Sequence, residues 1–397
     1  MTRIALVEQD GAGGMIHYAY QLADALTGAG ADVTLHTARR YELRGLPHRF
    51  TVRDEMNLWP AIESPPHRGL GTIGRKVRRA GRALRYAVVW RRLSSRLIRE
   101  RPDVVLFSTI RFPFQVVFLR RLRRHGLVLA QVCHEFEPRE RGRWSRAISQ
   151  RLSLAVYRTF SVVFLHGEQN RKAFLDHFPI DADRTRVIHH GNESMFLRLA
   201  DAGGDLKERY GLDDDEPVAL FFGGLRPSKG ILALVDAFAA MPEGTPGRLL
   251  VVGQPAGIDP GEVRSRAEHA GVGHRVVVDG RYLPLDEVGP LVRTATLVVL
   301  PYRSATASGV LQVAFAFGRP VVATALGALA EDVEHGVTGL LVHPDDRDEL
   351  AMAMASLLGE PDRARRMGVA AAEAAATRFG WEPIADDILD ALAEVAP

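Results

Sequence analysis

Three short stretches carry residues whose type and order suit a phosphate-bearing ligand. Residues 221–230 read Phe-Phe-Gly-Gly-Leu-Arg-Pro-Ser-Lys-Gly, an apolar run that breaks at two glycines and then sets Arg226 and Lys229 ahead of a helix. Two cations beside a helix N-terminus would neutralise a diphosphate. Read alone, the same pair also fits two solvated surface cations. Residues 301–320 place small side chains before an apolar helix, so Ser308, Gly309 and Val310 would offer unpaired amide N–H groups to an anion. Gln312 follows one turn later, within reach of a sugar hydroxyl. The plain alternative is a buried helix that uses Ser308 only as its N-cap. The third stretch, Asp10-Gly-Ala-Gly-Gly-Met-Ile-His17, brings Gly13 and Gly14 to a turn before a helix, where the backbone can approach a phosphate or a sugar hydroxyl. It is not a dinucleotide fingerprint, because Ile16 stands where the third glycine belongs. A tight structural turn without a ligand is the competing reading.

The elements that must hold these stretches follow a regular order. Residues 3–7 form an apolar run before the glycine turn. Ile16, Ala19, Tyr20, Leu22, Ala23 and Leu26 then recur at helical spacing until Gly28 and Gly30, and residues 32–36 are the next strand. Further buried strands are expected at 103–107, 127–132, 161–165 and 186–189. Residues 192–206 look like a domain junction. A second series of strands follows at 218–222, 248–252, 276–279, 297–300 and 321–324, with helices between them. The expected class is α/β, with two Rossmann-like domains facing across a cleft and ligands at the carboxyl ends of the strands. At 397 residues the chain has room for two such cores.

Composition narrows the classes further. With 46% hydrophobic and 25% charged residues the chain is ordinary globular protein. Its single cysteine, Cys133, excludes an intramolecular disulfide framework and a cysteine-based zinc site, and suits a reducing cytoplasm. Charges at Arg3, Glu8 and Asp10 interrupt any signal-peptide core, and no run of about 18 uncharged apolar residues occurs. Charge is uneven: residues 1–200 hold 34 Lys and Arg against 18 Asp and Glu, whereas residues 201–397 hold 17 against 30. An anionic partner for the first half is expected. Between Arg68 and Arg101 lie twelve Lys or Arg and one acid, Glu100, interleaved with Leu84, Val88, Val89, Trp90, Leu93 and Leu97. Such a basic amphipathic segment suits an anionic membrane face or a lipid-linked acceptor, against a bland reading as a solvated helix face. Nucleic acid is disfavoured, since no nucleic-acid module is recognisable.

Taken in order, Gly13-Gly14, "FFGGLRPSKG", "VVVDGRYLPLDEVGPLVRTATLVVLPY", "SGVLQVAFAFGRPVVAT" and "EDVEHGVTGLLV" resemble glycosyltransferase family 4, the retaining enzymes of the GT-B fold. The resemblance runs over nearly the whole chain. It implies an acceptor-side domain at 1–198, a nucleotide-sugar-binding domain at 199–378, and a helix over 379–397, opened by Trp381, that returns to the first domain. It further implies that Gly14 approaches the donor and that Arg226 and Lys229 bind the diphosphate. Gly280, Arg281 and Tyr282 would hold the base, and His134 would contact the transferred sugar near the reaction centre. The implied activity is transfer of a sugar from a nucleoside-diphosphate sugar to an acceptor hydroxyl, in cell-surface polysaccharide or glycolipid synthesis, by a cytoplasmic protein peripheral to the membrane. No obligatory metal is implied, and the nucleotide sugar is a substrate, not a cofactor.

The chain also departs from the family. Gly224 stands where an arginine often follows Gly223, and Thr306 and Val313 fall near the places of two usual glutamates. Gln312 or Glu331 would then take over the ribose contact. A GT-B sugar-nucleotide epimerase and a non-catalytic nucleotide-sugar-binding protein are the rival readings.

Overall fold

The computed structural model describes residues 1–56, 58, 72–136, 143–199 and 206–395. The part of the basic stretch from Arg68 to Gly71, and residues 200–205 of the expected junction, lie outside these. The chain divides into two compact units, Met1–Ile188 with Trp381–Pro397, and His189–Gly380.

The first unit is built on β1 (Arg3–Val7), β2 (Asp32–Ala38), β3 (Thr51–Met56), β4 (Val104–Phe107), β5 (Val128–Cys133), β6 (Val162–His166) and β7 (Thr185–Ile188). All pair in parallel, in the order β3-β2-β1-β4-β5-β6-β7. β1, β4 and β6 are buried along almost their whole length, as expected of strands covered by helices on both faces. β3 alternates exposed and half-buried residues and lies at the sheet's edge. The helix Thr72–Glu100 buries Tyr86, Trp90, Leu93 and Leu97, with the Trp90 ring stacked 5.9 Å from that of Phe107. The helix Trp381–Ala393 lies against the helix Gly14–Gly28, and Arg186 of β7 pairs with Glu394 at 2.6 Å.

The second unit holds β8 (Val218–Phe222), β9 (Arg248–Val252), β10 (Val276–Asp279), β11 (Leu297–Leu300), β12 (Val321–Thr324) and β13 (Gly339–Val342), again parallel, in the order β10-β9-β8-β11-β12-β13.

Each sheet therefore reverses its strand order once, between β1 and β4 and between β8 and β11. Loops leaving the carboxyl ends of two such strands diverge to opposite faces and open a crevice, the usual ligand position in open α/β sheets. The glycine turn follows β1, and the loops 223–230 and 301–308 follow β8 and β11. All three chemically suggestive stretches thus start at a switch point.

Candidate active site

In the second unit the two switch-point loops are locked together by backbone. Gly223 takes φ +124° and its N–H donates to the Val252 carbonyl at 3.0 Å. A Cβ on Gly253 would lie 1.8 Å from the Gly223 oxygen, so only glycine fits beside it. The chain then turns through Pro227–Lys229 and leaves at Gly230, with φ +69°, where a Cβ would lie 1.9 Å from the Pro301 oxygen. The Arg303 N–H donates to the Ser228 carbonyl at 2.9 Å. Arg226 is exposed and Lys229 half-buried at the end of this clamp.

Lys229 Nζ stands 3.7 Å from the centroid of the buried Tyr302 ring. The Tyr302 hydroxyl meets Ser308 Oγ at 3.2 Å, and Ser308 caps the helix Gly309–Ala316 by accepting from the Leu311 N–H at 3.3 Å. Thr324 Oγ1 fixes the Tyr302 carbonyl by donating to it at 2.7 Å. Tyr302 therefore joins the ammonium of one loop to a helix start on the other. Gly309 and Val310 are the first two helical residues, and their N–H groups have no acceptor within the helix. Ser308 is the N-cap, the plainer of its two expected roles, but in this position it also orients the amides. Gln312 is fully buried, and neither amide atom has a hydrogen-bond partner among the described residues. Burying such a group unsatisfied costs about 1–3 kcal/mol.

The remaining expected residues fall into different settings. Arg281 is committed within the protein: Nε donates to Asp279 Oδ2 at 2.7 Å and Nη2 to Glu287 Oε2 at 2.5 Å, and the carboxylate bonds push its pKa up. Arg281 therefore holds the shape of this loop through its own carboxylate bonds. A Cβ on Gly280 would lie 2.3 Å from Pro260 Cγ, so this glycine also answers to packing. Glu331 lies in the short helix Gly327–Asp332, which the Ala328 N–H ties to the Thr306 carbonyl at 3.2 Å. The second unit also holds a carboxylate that the sequence did not single out. Glu193 is buried, and its Oε1 would lie 3.5 Å from a Cβ on Gly309. His190 stands beside the same point, and its burial lowers its pKa and favours the neutral imidazole.

In the first unit the glycine turn is braced by Glu42, also unforeseen. Its Oε1 accepts from the Gly13 N–H at 2.5 Å and meets His17 Nε2 at 2.5 Å. The Gly13 amide thus already has an anion, the protein's own. Gly14 is exposed, and a Cβ there would meet nothing within 4 Å. His134 follows β5 and lies 3.1 Å, Nδ1 to Nε2, from His166 at the end of β6. The Tyr18 ring stands edge-on to His134 at 4.5 Å, and Trp381 stands 5.2 Å from Tyr18 on its own helix. The C-terminal helix thus helps fix the imidazole pair.

At the β1–β4 switch point Glu8 is fully buried. It accepts from the Asp10 N–H at 2.6 Å and the Thr109 hydroxyl at 3.0 Å, and burial with the nearby Asp10 charge pushes its pKa up to about 7. Asp10 pairs with Arg111. The lone Cys133 is buried and its thiol is pushed up to about 12, so it is no nucleophile at neutral pH.

Comparison with known proteins agrees with this arrangement. Residues 12–193 match the family model described as Glycosyltransferase Family 4, and residues 216–360 match the one described as glycosyl transferases group 1. The chain belongs to the family 4 glycosyltransferases. It is 35% identical over 216 residues to a D-inositol 3-phosphate glycosyltransferase of Segniliparus rotundus, covering 54% of this chain and 47% of that protein. A protein of the same description from Nocardia farcinica is 33% identical over 231 residues, 56% and 50% of the two chains. The chain spans about half the length of the curated relatives it matches. Among solved structures, sucrose-phosphate synthase from Thermosynechococcus elongatus superposes with a TM-score of 0.72 at 22% identity, covering 100% of this chain and 99% of the other. HepE of Anabaena, in complex with UDP, gives 0.71 at 19%, covering 99% and 100%. These likenesses establish the fold of this family 4 member as GT-B.

Proposed function

We propose that the protein is a retaining glycosyltransferase that moves a sugar from a nucleoside-diphosphate sugar to an acceptor hydroxyl. The observation that carries the reading is the join at Tyr302, which links Lys229 to the start of the helix Gly309–Ala316 at one switch point, with Arg226 three residues before Lys229 on the same loop. Preorganised donors of this kind stabilise charge that grows on a leaving group. In the proposed step the acceptor oxygen bonds to the anomeric carbon on the face from which the diphosphate departs. The carbon–phosphate-oxygen bond breaks, and the acceptor proton passes to the departing phosphate oxygen. Lys229 and Arg226 offset the resulting charge, so no obligatory metal is invoked. Sugar or ribose hydroxyls are assigned in this reading to Gln312, Glu193 and Glu331.

His134, held by His166, is assigned to the transferred sugar. The acceptor is assigned to the first unit and to lipid-linked surface glycan or glycolipid synthesis at an anionic membrane face. This last reading is supported by the helix Thr72–Glu100, which exposes Leu84 (68%) and Val88 beside Arg85, Arg91 and Arg92. Val117 (65%) and Phe114 are exposed on the neighbouring segment. Among the described residues no helix is long and apolar enough to cross a membrane.

A thermal-shift screen of nucleotide sugars tests the donor assignment. The right donor at about 100 times its Kd raises stability by roughly 2.7 kcal/mol. No shift with any of them rejects it. Isomerised sugar formed without acceptor favours an epimerase instead.

A further inference from the structure

The opposite end of the first sheet carries a second concentration of positive charge. A concavity of about 650 Å³ is lined by Arg120, Arg123, Arg124, Arg151, Arg158 and Arg184. These come from three separate segments: the helix Val116–Arg124, the helix Arg143–Tyr157 with the turn after it, and the turn Ala182–Arg184. The segments lead directly into β5, β6 and β7, so the concavity lies where those parallel strands begin. Glu8, Gly14 and His134 lie where strands end. A five-residue strand separates the two ends by roughly 17 Å.

Three features distinguish the concavity from a solvated basic surface. Among the described residues no carboxylate lines it, and none of the six guanidinium groups forms an ion pair. Two of them are placed by backbone: Arg123 Nη1 donates to the Thr159 carbonyl at 2.9 Å, and Arg184 Nη2 to the Arg158 carbonyl at 3.2 Å. Arg184 is also crowded. Desolvation first, and the Arg123 charge second, lower its pKa against the weaker pull of Asp181. The macrodipole of the helix Val116–Arg124 accounts for cations in its last turn. It does not account for Arg151, Arg158 and Arg184 converging on the same space from elsewhere. Like charges held together without counter-charge cost free energy, which a bound anion would return.

We propose that this concavity is a binding site for a multiply charged phosphate group, separate from the site of sugar transfer. Guanidinium forks match phosphate oxygens in pairs, and the volume suits a di- or triphosphate group or a clustered phosphomonoester. The phosphate comes from a soluble oligophosphate or from a lipid headgroup, and these share one recognition chemistry.

The test is calorimetric titration with inorganic tripolyphosphate, on the whole chain. Among the described residues the side chains of Arg124 and Arg151 make no hydrogen bond, so Arg124→Gln with Arg151→Gln should leave the fold intact, checked by an unchanged Tm. Saturable binding is expected in the native chain and in Arg226→Ala/Lys229→Ala, and a tenfold or greater loss in R124Q/R151Q. Lysine at both positions should restore part of it. Flotation with phosphatidic acid vesicles then separates the sources. Loss of flotation in R124Q/R151Q assigns a lipid headgroup, and unchanged flotation assigns a soluble oligophosphate. Tripolyphosphate binding that is absent, or equal in the native chain and R124Q/R151Q, overturns the proposal.

Discussion

The Lys229 ammonium rests 3.7 Å from the centre of the Tyr302 ring, so the cation of one switch-point loop is held by an aromatic residue of the other. A cation over a buried ring gains about 0.5–2 kcal/mol. Tyr302→Phe keeps the ring and loses only the contact to Ser308, so kcat/KM for transfer should fall less than about fivefold. Tyr302→Leu removes both and should lower it about 10- to 100-fold. Steady-state kinetics on the two variants decide. Equal activities would show that the ring does not position Lys229.

Two glycines should respond oppositely to alanine. At Gly230 the positive φ and the Pro301 oxygen 1.9 Å from a Cβ leave no room, and Gly230→Ala should cost more than about 2 kcal/mol in urea unfolding. At Gly14, the first residue of its helix, a Cβ meets no described protein atom within 4 Å and the backbone carries no positive φ, so alanine fits without strain. Gly14→Ala should therefore fold as well as the native chain yet bind donor at least tenfold more weakly, because the space is needed by ligand. Undiminished donor binding would make Gly14 a purely structural turn residue.

Glu8 gives a pH dependence of defined sign. Its folded pKa of about 7 lies above the ordinary 4.5, so between these values the folded state holds a proton that the unfolded state has released. The stabilising contribution of the protonated carboxyl is complete below about pH 4.5 and is lost as pH rises through about 7. At about 1.4 kcal/mol per pH unit the change is on the order of 3 kcal/mol. Tm measured from pH 5 to 8 should fall for the native chain relative to Glu8→Gln. Parallel curves would place the Glu8 pKa at its ordinary value.

Membrane docking through the exposed face should depend on apolar contact as well as charge. Leu84→Glu with Val117→Glu should reduce flotation on vesicles containing anionic lipid several-fold without changing the Tm. Unchanged flotation would remove this face from the membrane reading.

The parallel sheets were legible because buried strands are short apolar runs, as in residues 104–107 and 297–300. β3 was not, because Thr-Val-Arg-Asp-Glu-Met alternates polar residues at a half-exposed edge. The basic stretch was legible as amphipathic, but sequence could not assign Trp90 to the core and Leu84 to the surface. Loop motifs pointed to Arg226, Lys229 and Ser308, since cations and caps are local signals. Glu42, His166, Glu193 and Tyr302 carried no such signal. Each acts through a partner that only the tertiary fold brings near, as Glu42 does on Gly13 and His17.

Transfer kinetics of Lys229→Ala and Arg226→Ala, with the donor found in the nucleotide-sugar screen, test the proposed chemistry most directly. Lys229→Ala should lower kcat about 10²- to 10³-fold, the range for removing one preorganised donor from a developing charge, with Arg226→Ala smaller in the same direction and both Tm values near native. Turnover equal to that of the native chain in both variants would contradict the assignment of this switch point to the leaving diphosphate.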